Sequence, residues 1–244
     1  MVSSDTRSLA IVRRFTESFG REKLYRITGH TPHPLFSLFK IMWIRENWPD
    51  VLSKAVKFYC MEDFIQFRLG VKEPAIAWPL ASRTMLYDVM AHDWNQDLLD
   101  AAGLDRSRLA RPLPAGEVVG EVSPAAARSL GLAEGVKVIC GGFDQPNAGL
   151  GAGAVKPGQA MYATGTVECI TPAFENAAFK DELMDSNLST FDHTFPGLYS
   201  TVAFSLTGGN ILRWFRDNWA RTEVAESGKT GVNAYQLILD GMPK

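Results

Sequence analysis

The chain has 244 residues, of which 46% are apolar, 21% charged and 11% aromatic. This is the composition of an ordinary globular protein, and it excludes a disordered chain, a collagen-like repeat and a coiled coil. The 25 basic and 27 acidic side chains leave a formal net charge of -2, so a dedicated binder of nucleic acid or of anionic membranes is not expected.

Helices are predicted in the first half of the chain, where apolar residues recur at helical spacing. Asp5 is a candidate N-cap for the first helix and Gly20 its stop, while Pro49 ends the second. Ser123-Pro124 is a clear helix start, because serine is a good N-cap and proline fits the first turn. The predicted helices are Thr6–Phe19, Leu35–Trp48, Asp93–Ala102 and one that runs from Ser123-Pro124 to Gly131.

Strand signals follow in the second half. Val136–Cys140 is a nearly continuous apolar run, typical of a strand buried on both faces. Gly208-Gly209-Asn210 opens an aromatic-rich helix, Ile211–Trp219, and the change in composition near Lys156-Pro157-Gly158 predicts a domain boundary. The other predicted strands are Ala160–Thr164 and Val167–Ile170, joined as a hairpin by Gly165-Thr166, and Ser200–Leu206. Four tryptophans fall at helical spacing among aliphatic residues, which favours core packing for most of them: Trp43, Trp48, Trp214 and Trp219.

Cysteines and histidines give no pattern of a metal centre. Cys60, Cys140 and Cys169 lack CxxC spacing, so neither a disulfide framework nor a zinc cluster is expected. His30 and His33 lie in a predicted loop without a third ligand, so no metal site is assigned to them. The first residues lack the layout of a signal peptide and no apolar run reaches the length of a membrane span, so we expect a cytoplasmic protein.

Asp144 is the first candidate for chemistry. It follows the predicted strand Val136–Cys140 and two glycines, at the place where α/β sheets present ligands. A carboxylate there could accept a proton from an attacking hydroxyl or hold Mg²⁺ with phosphate. The alternative is that Asp144 only caps the segment that follows, and the residues alone leave both open.

Two glycine-containing turns are candidate phosphate-binding elements. Gly165-Thr166 joins two strands, so its backbone N–H groups and its hydroxyl can form a small anion nest. Gly208-Gly209 opens a helix, where unpaired N–H groups favour phosphate. Each turn alone is weak evidence for phosphate binding, and Gly165-Thr166 also fits an ordinary hairpin turn. Because both turns follow an acidic residue in the chain, their order strengthens the prediction for each.

In this order, the motifs resemble those of the FGGY family of carbohydrate kinases, to which glycerol kinase and xylulokinase belong. The resemblance extends from about residue 3 to about residue 219 and implies an α/β, actin-like (RNase H-like) two-domain kinase fold with a cleft for ATP and sugar. It divides the chain into the later part of the sugar-binding domain, residues 1–157, and the first part of the nucleotide-binding domain, residues 158–244. The matching residues are Asp5-Thr6-Arg7, Gly141-Gly142-Phe143-Asp144-Gln145, Gly149–Gly153, Lys156-Pro157-Gly158, Gly165-Thr166, Thr207-Gly208-Gly209 and Arg213-Trp214.

Roles carry over from the resemblance residue by residue. Asp144 is similar to the general base of these kinases, and Gln145 to a contact for a substrate hydroxyl. Asp5 and Arg7 match substrate-side positions. The positions that face the transferring phosphoryl group and the nucleotide phosphates are Gly165, Thr166, Gly209 and Arg213. ATP and Mg²⁺ are the implied cosubstrate and ion, a sugar or polyol the implied partner, and a homodimer a candidate assembly.

The sequence also departs from the family pattern. Ser3 stands where an aromatic residue usually precedes the Asp-x-Arg motif, and the chain has neither the Asp-x-Gly-Thr phosphate hairpin nor the Gly-Gly-Gly adenine motif. Family members are about twice as long, so we expect an internal piece of a kinase with little activity alone. The alternative is a non-catalytic actin-like nucleotide-binding or assembly module, in which Asp144 only positions water or metal. A dinucleotide dehydrogenase is excluded, because the glycines of Gly149–Gly153 do not join a strand to a helix.

Overall fold

A computed structural model describes residues 5–165, 168–205 and 207–242. The chain forms two compact units: the first comprises residues 1–161 and 171–202, the second residues 162–170 and 203–244. The predicted boundary between residues 157 and 158 separates the two domains that the family resemblance implies. The division into compact units does not test it, so it stays a prediction.

Helices account for most of the regular structure. They are α1 (Leu9–Phe19), α2 (Arg21–Thr28), α3 (Ser37–Asn47), α4 (Pro49–Lys54), α5 (Met61–Arg68), α6 (Trp78–Ser82), α7 (Gln96–Ala102), α8 (Pro124–Leu130), α9 (Asp144–Gly151), α10 (Asp181–Asp185), α11 (Gly209–Asn218), α12 (Arg221–Thr230) and α13 (Ala234–Asp240), with a 3-10 turn at Arg106–Arg108. Within the described ranges, no helix combines the length and the apolar character that crossing a bilayer requires.

The strands are short and pair locally. They are β1 (Ala75–Ala77), β2 (Tyr87–Asp88), β3 (Asp93–Trp94), β4 (Arg111–Leu113), β5 (Val118–Glu121), β6 (Lys137–Ile139), β7 (Ala160–Thr164), β8 (Glu168–Phe174), β9 (Phe191–Asp192), β10 (Tyr199–Ser200) and β11 (Ala203–Ser205). In the first unit β1 pairs in parallel with β4, while β2 with β3, β5 with β6, and β10 with both β9 and the end of β8 are antiparallel. In the second unit β11 pairs with the start of β8, and β7 also pairs with β8.

The observed helix ends agree with the predicted ones where a capping residue determines the end, as in α8. The hydroxyl of Ser123 accepts the N–H of Ala126, and Gly131 ends α8 in the left-handed conformation, both as predicted. The predicted start of the first helix is wrong: α1 begins at Leu9, because the Asp5 carboxylate accepts the N–H of Arg7 in a turn before the helix. The start of α7 is also later than predicted, since Asp93 and its neighbour form β3.

The core of the first unit is mainly helical. Leu24, Leu38, Phe39 and Leu98, from α2, α3 and α7, are completely buried in one cluster. Strands β1, β2 and β3 add one buried side chain each to this cluster: Ile76, Tyr87 and Trp94. One prediction for the strands is wrong. Strand β6 is not buried on both faces, because its central Val138 is buried while the residues on either side are exposed. Among the strands of the described residues, it pairs only with β5.

In the second unit, α11 carries exposed aromatic side chains. Trp214 is 55% exposed and Trp219 is 69% exposed, so the prediction of core packing is wrong for both. Trp48 in the first unit is also exposed. Helical spacing determines which residues share a face, but it does not determine whether another element of the same unit covers that face.

Candidate functional site

Asp144 is the first residue of α9, and its side chain is exposed to solvent. The carboxylate accepts the N–H of Gln145 at 2.9 Å. It does not act as the N-cap of the helix, because that position belongs to Phe143. The positive end of the helix dipole favours a negative charge at this position. The predicted base is therefore an exposed carboxylate that a substrate can reach.

Gln145 differs from Asp144 in its surroundings. Its side-chain Oε1 is buried and has no hydrogen-bond partner among the described residues. A buried acceptor without a partner is unfavourable by about 1–3 kcal/mol. A ligand hydroxyl that donates to Oε1 would remove this penalty, which fits the role that the resemblance gives to Gln145.

The segment before Asp144 is held by a carboxylate from α5. Glu62 accepts the N–H of Gly141 at 2.5 Å with one oxygen and the N–H of Ala77 at 3.0 Å with the other. Ala77 ends β1 and directly precedes α6, so one side chain fixes the starts of both α6 and the Gly141–Asp144 segment. Glu62 is not among the residues predicted from the sequence, although an acidic residue in the first turn of a helix is a signal that the sequence contains.

Glu62→Gln is expected to destabilise the fold by about 1–3 kcal/mol. An amide has only one acceptor oxygen, so the N–H of either Gly141 or Ala77 loses its partner. Urea unfolding monitored by circular dichroism measures the change. Glu73→Gln, at an exposed residue, is the matched control and should stay within about 0.5 kcal/mol. Equal stability of the two variants would contradict this role for Glu62.

Gly142 packs closely against protein atoms. Its φ of +135° is unfavourable for other residues, and a Cβ there would lie 3.3 Å from Asn147 Oδ1 and 3.4 Å from Thr194 Oγ1. The Thr194 hydroxyl in turn donates to Asn147 Oδ1 at 2.8 Å. The lack of a Cβ at Gly142 therefore makes room for these two side chains of the protein itself.

Arg83 lies close enough to Asp144 for their charges to interact. Its guanidinium carbon is 5.1 Å from the ring centre of Phe36 and 5.5 Å from that of Phe143, the residue before Asp144. Burial lowers the pKa of Arg83 to about 10, while the charge of Asp144 acts in the opposite direction. Arg83 therefore remains charged at neutral pH next to the predicted base.

Two histidines face the same guanidinium. Burial lowers the pKa of His30 well below its usual value, and the charge of Arg83 lowers it further. The pKa of His33 is lowered by burial, by Arg83 and by Lys40. Both imidazoles are therefore mainly neutral near pH 7, and Arg83 provides the positive charge on this side of Asp144.

Asp5 and Arg7 contact each other. The Arg7 Nε lies 2.9 Å from the Asp5 carboxylate, and its guanidinium carbon is 4.9 Å from the ring centre of Trp43. The N–H of Arg7 is the main cause that lowers the pKa of Asp5, and Lys40 also lowers it. The charge of Lys40 lowers the pKa of both Asp5 and His33, so these three residues lie in the same part of the first unit. Their role as substrate-side residues remains a proposal.

Thr84, which follows α6, and Asp88, in β2, make local hydrogen bonds. The hydroxyl of Thr84 donates to the carbonyl of Ala81 at 2.6 Å. Asp88 accepts the N–H groups of Met90 and Ala91, each at 3.0 Å. These groups stabilise turns and are not directed at a ligand.

In the second unit, Gly165 and Gly209 lie in contact. The N–H of Gly209 donates to the carbonyl of Gly165 at 2.7 Å, so the turn after β7 meets the start of α11. Arg213 is exposed, and its guanidinium donates to Asn210 at 3.1 Å. Thr166 lies outside the described residues. Two of the predicted phosphate-binding positions are thus neighbours within this unit.

A cavity of about 160 Å³ in the first unit does not include Asp144. It is lined by Lys40, Tyr59, Cys60, Asp63 and Trp94, among others. Asp63 is only 1% exposed, and its Oδ1 has no hydrogen-bond partner in the described part of the chain. Burial raises the pKa of Asp63 to about 7, and the charge of Glu62 contributes.

Asp63 should make the fold less stable as pH rises from about 4 to about 7. In this range the unfolded chain releases the proton of Asp63 while the folded chain retains it, so deprotonation favours unfolding. Asp63→Asn removes this effect. We expect the stability of the variant relative to the natural sequence to increase by roughly 2–3 kcal/mol from pH 5 to pH 8. Urea unfolding at both pH values measures the difference; a constant difference would contradict the raised pKa.

Among residues 5–165, 168–205 and 207–242, no group of three or more His, Cys, Asp or Glu side chains could hold a metal ion. Mg²⁺ commonly binds through one or two carboxylates together with phosphate oxygens.

Comparison with known proteins places these features in context. Residues 1–151 match the model of the N-terminal domain of the FGGY family of carbohydrate kinases. Curated relatives include the gluconokinase of Bacillus subtilis (26% identical, covering 96% of this chain and 45% of that protein). They also include the xylulose kinase of Bacillus subtilis (28%, covering 98% and 47%) and the autoinducer-2 kinase of Salmonella typhimurium (30%, covering 90% and 40%). The chain spans less than half the length of these relatives.

Solved structures match in fold. The xylulose kinase from Rhodospirillum rubrum matches with a TM-score of 0.84 at 24% identity, over 98% of this chain and 46% of that one. Plasmodium falciparum glycerol kinase with ADP matches with a TM-score of 0.79 at 20% identity, over 92% and 45%. The predicted α/β fold of the actin-like type is confirmed by these matches.

Proposed function

Because this chain belongs to the FGGY family of carbohydrate kinases, we propose that the natural protein transfers the γ-phosphoryl group of ATP to a hydroxyl of a sugar or polyol. The observation that carries the proposal is the exposed Asp144 carboxylate at the start of α9. The kinase relatives and the unpartnered Oε1 of Gln145 support it. A reducing cytoplasm fits three cysteines that form no disulfide.

Asp144 acts as the general base in this reaction. The substrate hydroxyl oxygen forms a bond to the γ-phosphorus while the bond from that phosphorus to the β–γ bridging oxygen breaks, and ADP leaves. The hydroxyl proton moves to the Asp144 carboxylate. Gln145 Oε1 accepts a hydrogen bond from a second hydroxyl and thereby orients the substrate. Phosphoryl transfer depends mainly on positioning and charge stabilisation, so these two contacts are central.

The remaining predicted residues complete the scheme. Asp5 and Arg7 lie on the substrate side. The residues proposed to face the phosphates of ATP are Gly165, Thr166, Gly209 and Arg213. When bound to the ATP phosphates, Mg²⁺ would supply positive charge that neutralises the phosphate oxygens. A homodimer is the proposed assembly.

The 244-residue polypeptide alone is expected to phosphorylate sugars slowly or not at all. Its sequence contains neither the Asp-x-Gly-Thr nor the Gly-Gly-Gly motif, and it spans less than half of its relatives. A coupled assay of ADP release with a panel of ketoses, polyols and sugar acids measures the rate. A turnover of about one per second would contradict this expectation.

The alternative function is a non-catalytic actin-like nucleotide-binding module. The two hypotheses differ in what Gln145 and Asp144 face, because only a sugar kinase needs polar side chains toward a hydroxylated substrate. Thermal unfolding of the chain with and without each sugar distinguishes them. At a ligand concentration of 100 times Kd, a bound sugar stabilises the fold by about 2.7 kcal/mol. Stabilisation by ATP but by no sugar in the panel would favour the alternative.

A further inference from the structure

We propose that Arg83 binds the carboxylate of an acidic sugar, so that the substrate is an aldonate. This inference rests on the proposed function and names its substrate class. Arg83 follows the last residue of α6, and its backbone N–H donates to the carbonyl of Leu80 at 3.0 Å. Its position is therefore fixed by a helix end.

The guanidinium of Arg83 has no hydrogen bond or ion pair to another described side chain or carbonyl. Its electrostatic partner is Asp144, yet the two form no ion pair within 4.0 Å. Three other arginines differ in this respect: Arg7, Arg26 and Arg106 each lie within 3.0 Å of a carboxylate oxygen. Arg83 thus keeps up to five N–H donors available for a ligand.

The two aromatic rings restrict how a ligand can approach. Phe36 and Phe143 lie near the guanidinium carbon, at 5.1 and 5.5 Å, so the cation is positioned before any ligand binds. A guanidinium presents a planar fork that matches the two oxygens of a carboxylate. A preorganised fork of this kind favours a planar acid group over a neutral hydroxymethyl group.

The neighbouring groups complement the rest of an aldonate. Gln145 Oε1 lacks a donor, and Asp144 is an exposed acceptor, so both suit hydroxyl groups. His30 and His33 are mainly neutral and add no second cation. Around Asp144, the Arg83 cation and these two hydrogen-bond acceptors match a ligand with one carboxylate and several hydroxyls.

The test compares D-gluconate with D-glucitol, which differ only at C1, where a carboxylate replaces a hydroxymethyl group. Isothermal titration or thermal shift with the 244-residue chain measures both affinities at constant ionic strength. We expect gluconate to bind at least about tenfold more tightly than glucitol. Arg83→Gln should weaken gluconate binding by about 10–100-fold and glucitol binding by less than about threefold. Arg83→Lys keeps the charge without the fork and should give an intermediate loss.

Arg106→Gln is the matched control, because Arg106 is an exposed arginine paired with Asp93, and it should change neither affinity. Urea unfolding of each variant verifies that the fold is retained. An equal loss for both ligands, equal binding of both by the natural sequence, or binding of neither would overturn the proposal. ATP-dependent phosphorylation of neutral sugars only, by the natural protein, would overturn this inference while the proposed function stands; phosphorylation of no sugar would overturn both.

Discussion

Asp144→Asn is expected to lower the turnover number of the natural protein by about 10²–10⁴. The amide has nearly the same shape and can still accept the N–H of Gln145, but it cannot take the proton of the attacking hydroxyl. Binding of the sugar should remain within a few-fold, because the contact of Gln145 with the substrate is kept. Steady-state kinetics with separate kcat and KM values measures the effect, which should lie almost entirely in kcat.

Asp50→Asn is the matched control for this change. Asp50 is also an exposed aspartate in the first turn of a helix, α4, so the variant removes the same charge from a similar position. Its kcat should equal that of the natural sequence within error. If Asp144→Asn and Asp50→Asn retain the same turnover number, Asp144 is not the base.

Gly29→Ala is expected to destabilise the first unit by at least about 4 kcal/mol. A Cβ on Gly29 would lie 1.7 Å from the carbonyl oxygen of Thr190, and φ at this position is +68°. The backbone cannot simply move away, because the N–H of Thr190 donates to the carbonyl of Gly29 at 2.8 Å. Steric overlap and backbone strain therefore add at one position.

Gly131→Ala separates these two causes. Gly131 has the same φ of +68° and follows a helix in the same way, but no atom lies within 4 Å of the added Cβ. The Gly131→Ala variant should be destabilised by only about 1–2 kcal/mol, the penalty of the left-handed conformation. Urea midpoints of the two variants give the comparison. If Gly29→Ala loses no more stability than Gly131→Ala, the backbone at Thr190 moves away from the added Cβ at little cost, and the expected steric effect is wrong.

The Gly29 contact also bears on the candidate site. The next residue, His30, stacks on Phe191 with ring centres 5.6 Å apart, and Phe191 contacts Phe143 at the same distance. Phe143 immediately precedes Asp144. A folded Gly29 variant is therefore expected to affect catalysis as well as stability.

Local signals in the sequence were sufficient for some elements. Ser123 and Gly131 determine the ends of α8 through contacts within a few residues. Local capping rules failed at Asp5, because its carboxylate bonds within the preceding turn and α1 begins later.

Contacts between distant residues could not be predicted in this way. Glu62 and Gly141 are 79 residues apart, and only the folded chain brings that carboxylate to the segment before Asp144. The same holds for Arg83 beside Asp144. Burial also depends on tertiary packing, which is why Trp214 and Trp219 are exposed despite their helical spacing.

The most direct test of the account is whether sugar-dependent ADP formation by the natural protein yields a sugar phosphate. The natural protein is incubated with ATP, Mg²⁺ and members of a panel of ketoses, polyols and aldonates, and the products are identified by mass spectrometry. The account predicts one phosphorylated product per ADP for at least one sugar, and its disappearance in Asp144→Asn. ADP formation that is independent of every sugar, or a sugar phosphate formed equally well without the Asp144 carboxylate, would contradict it.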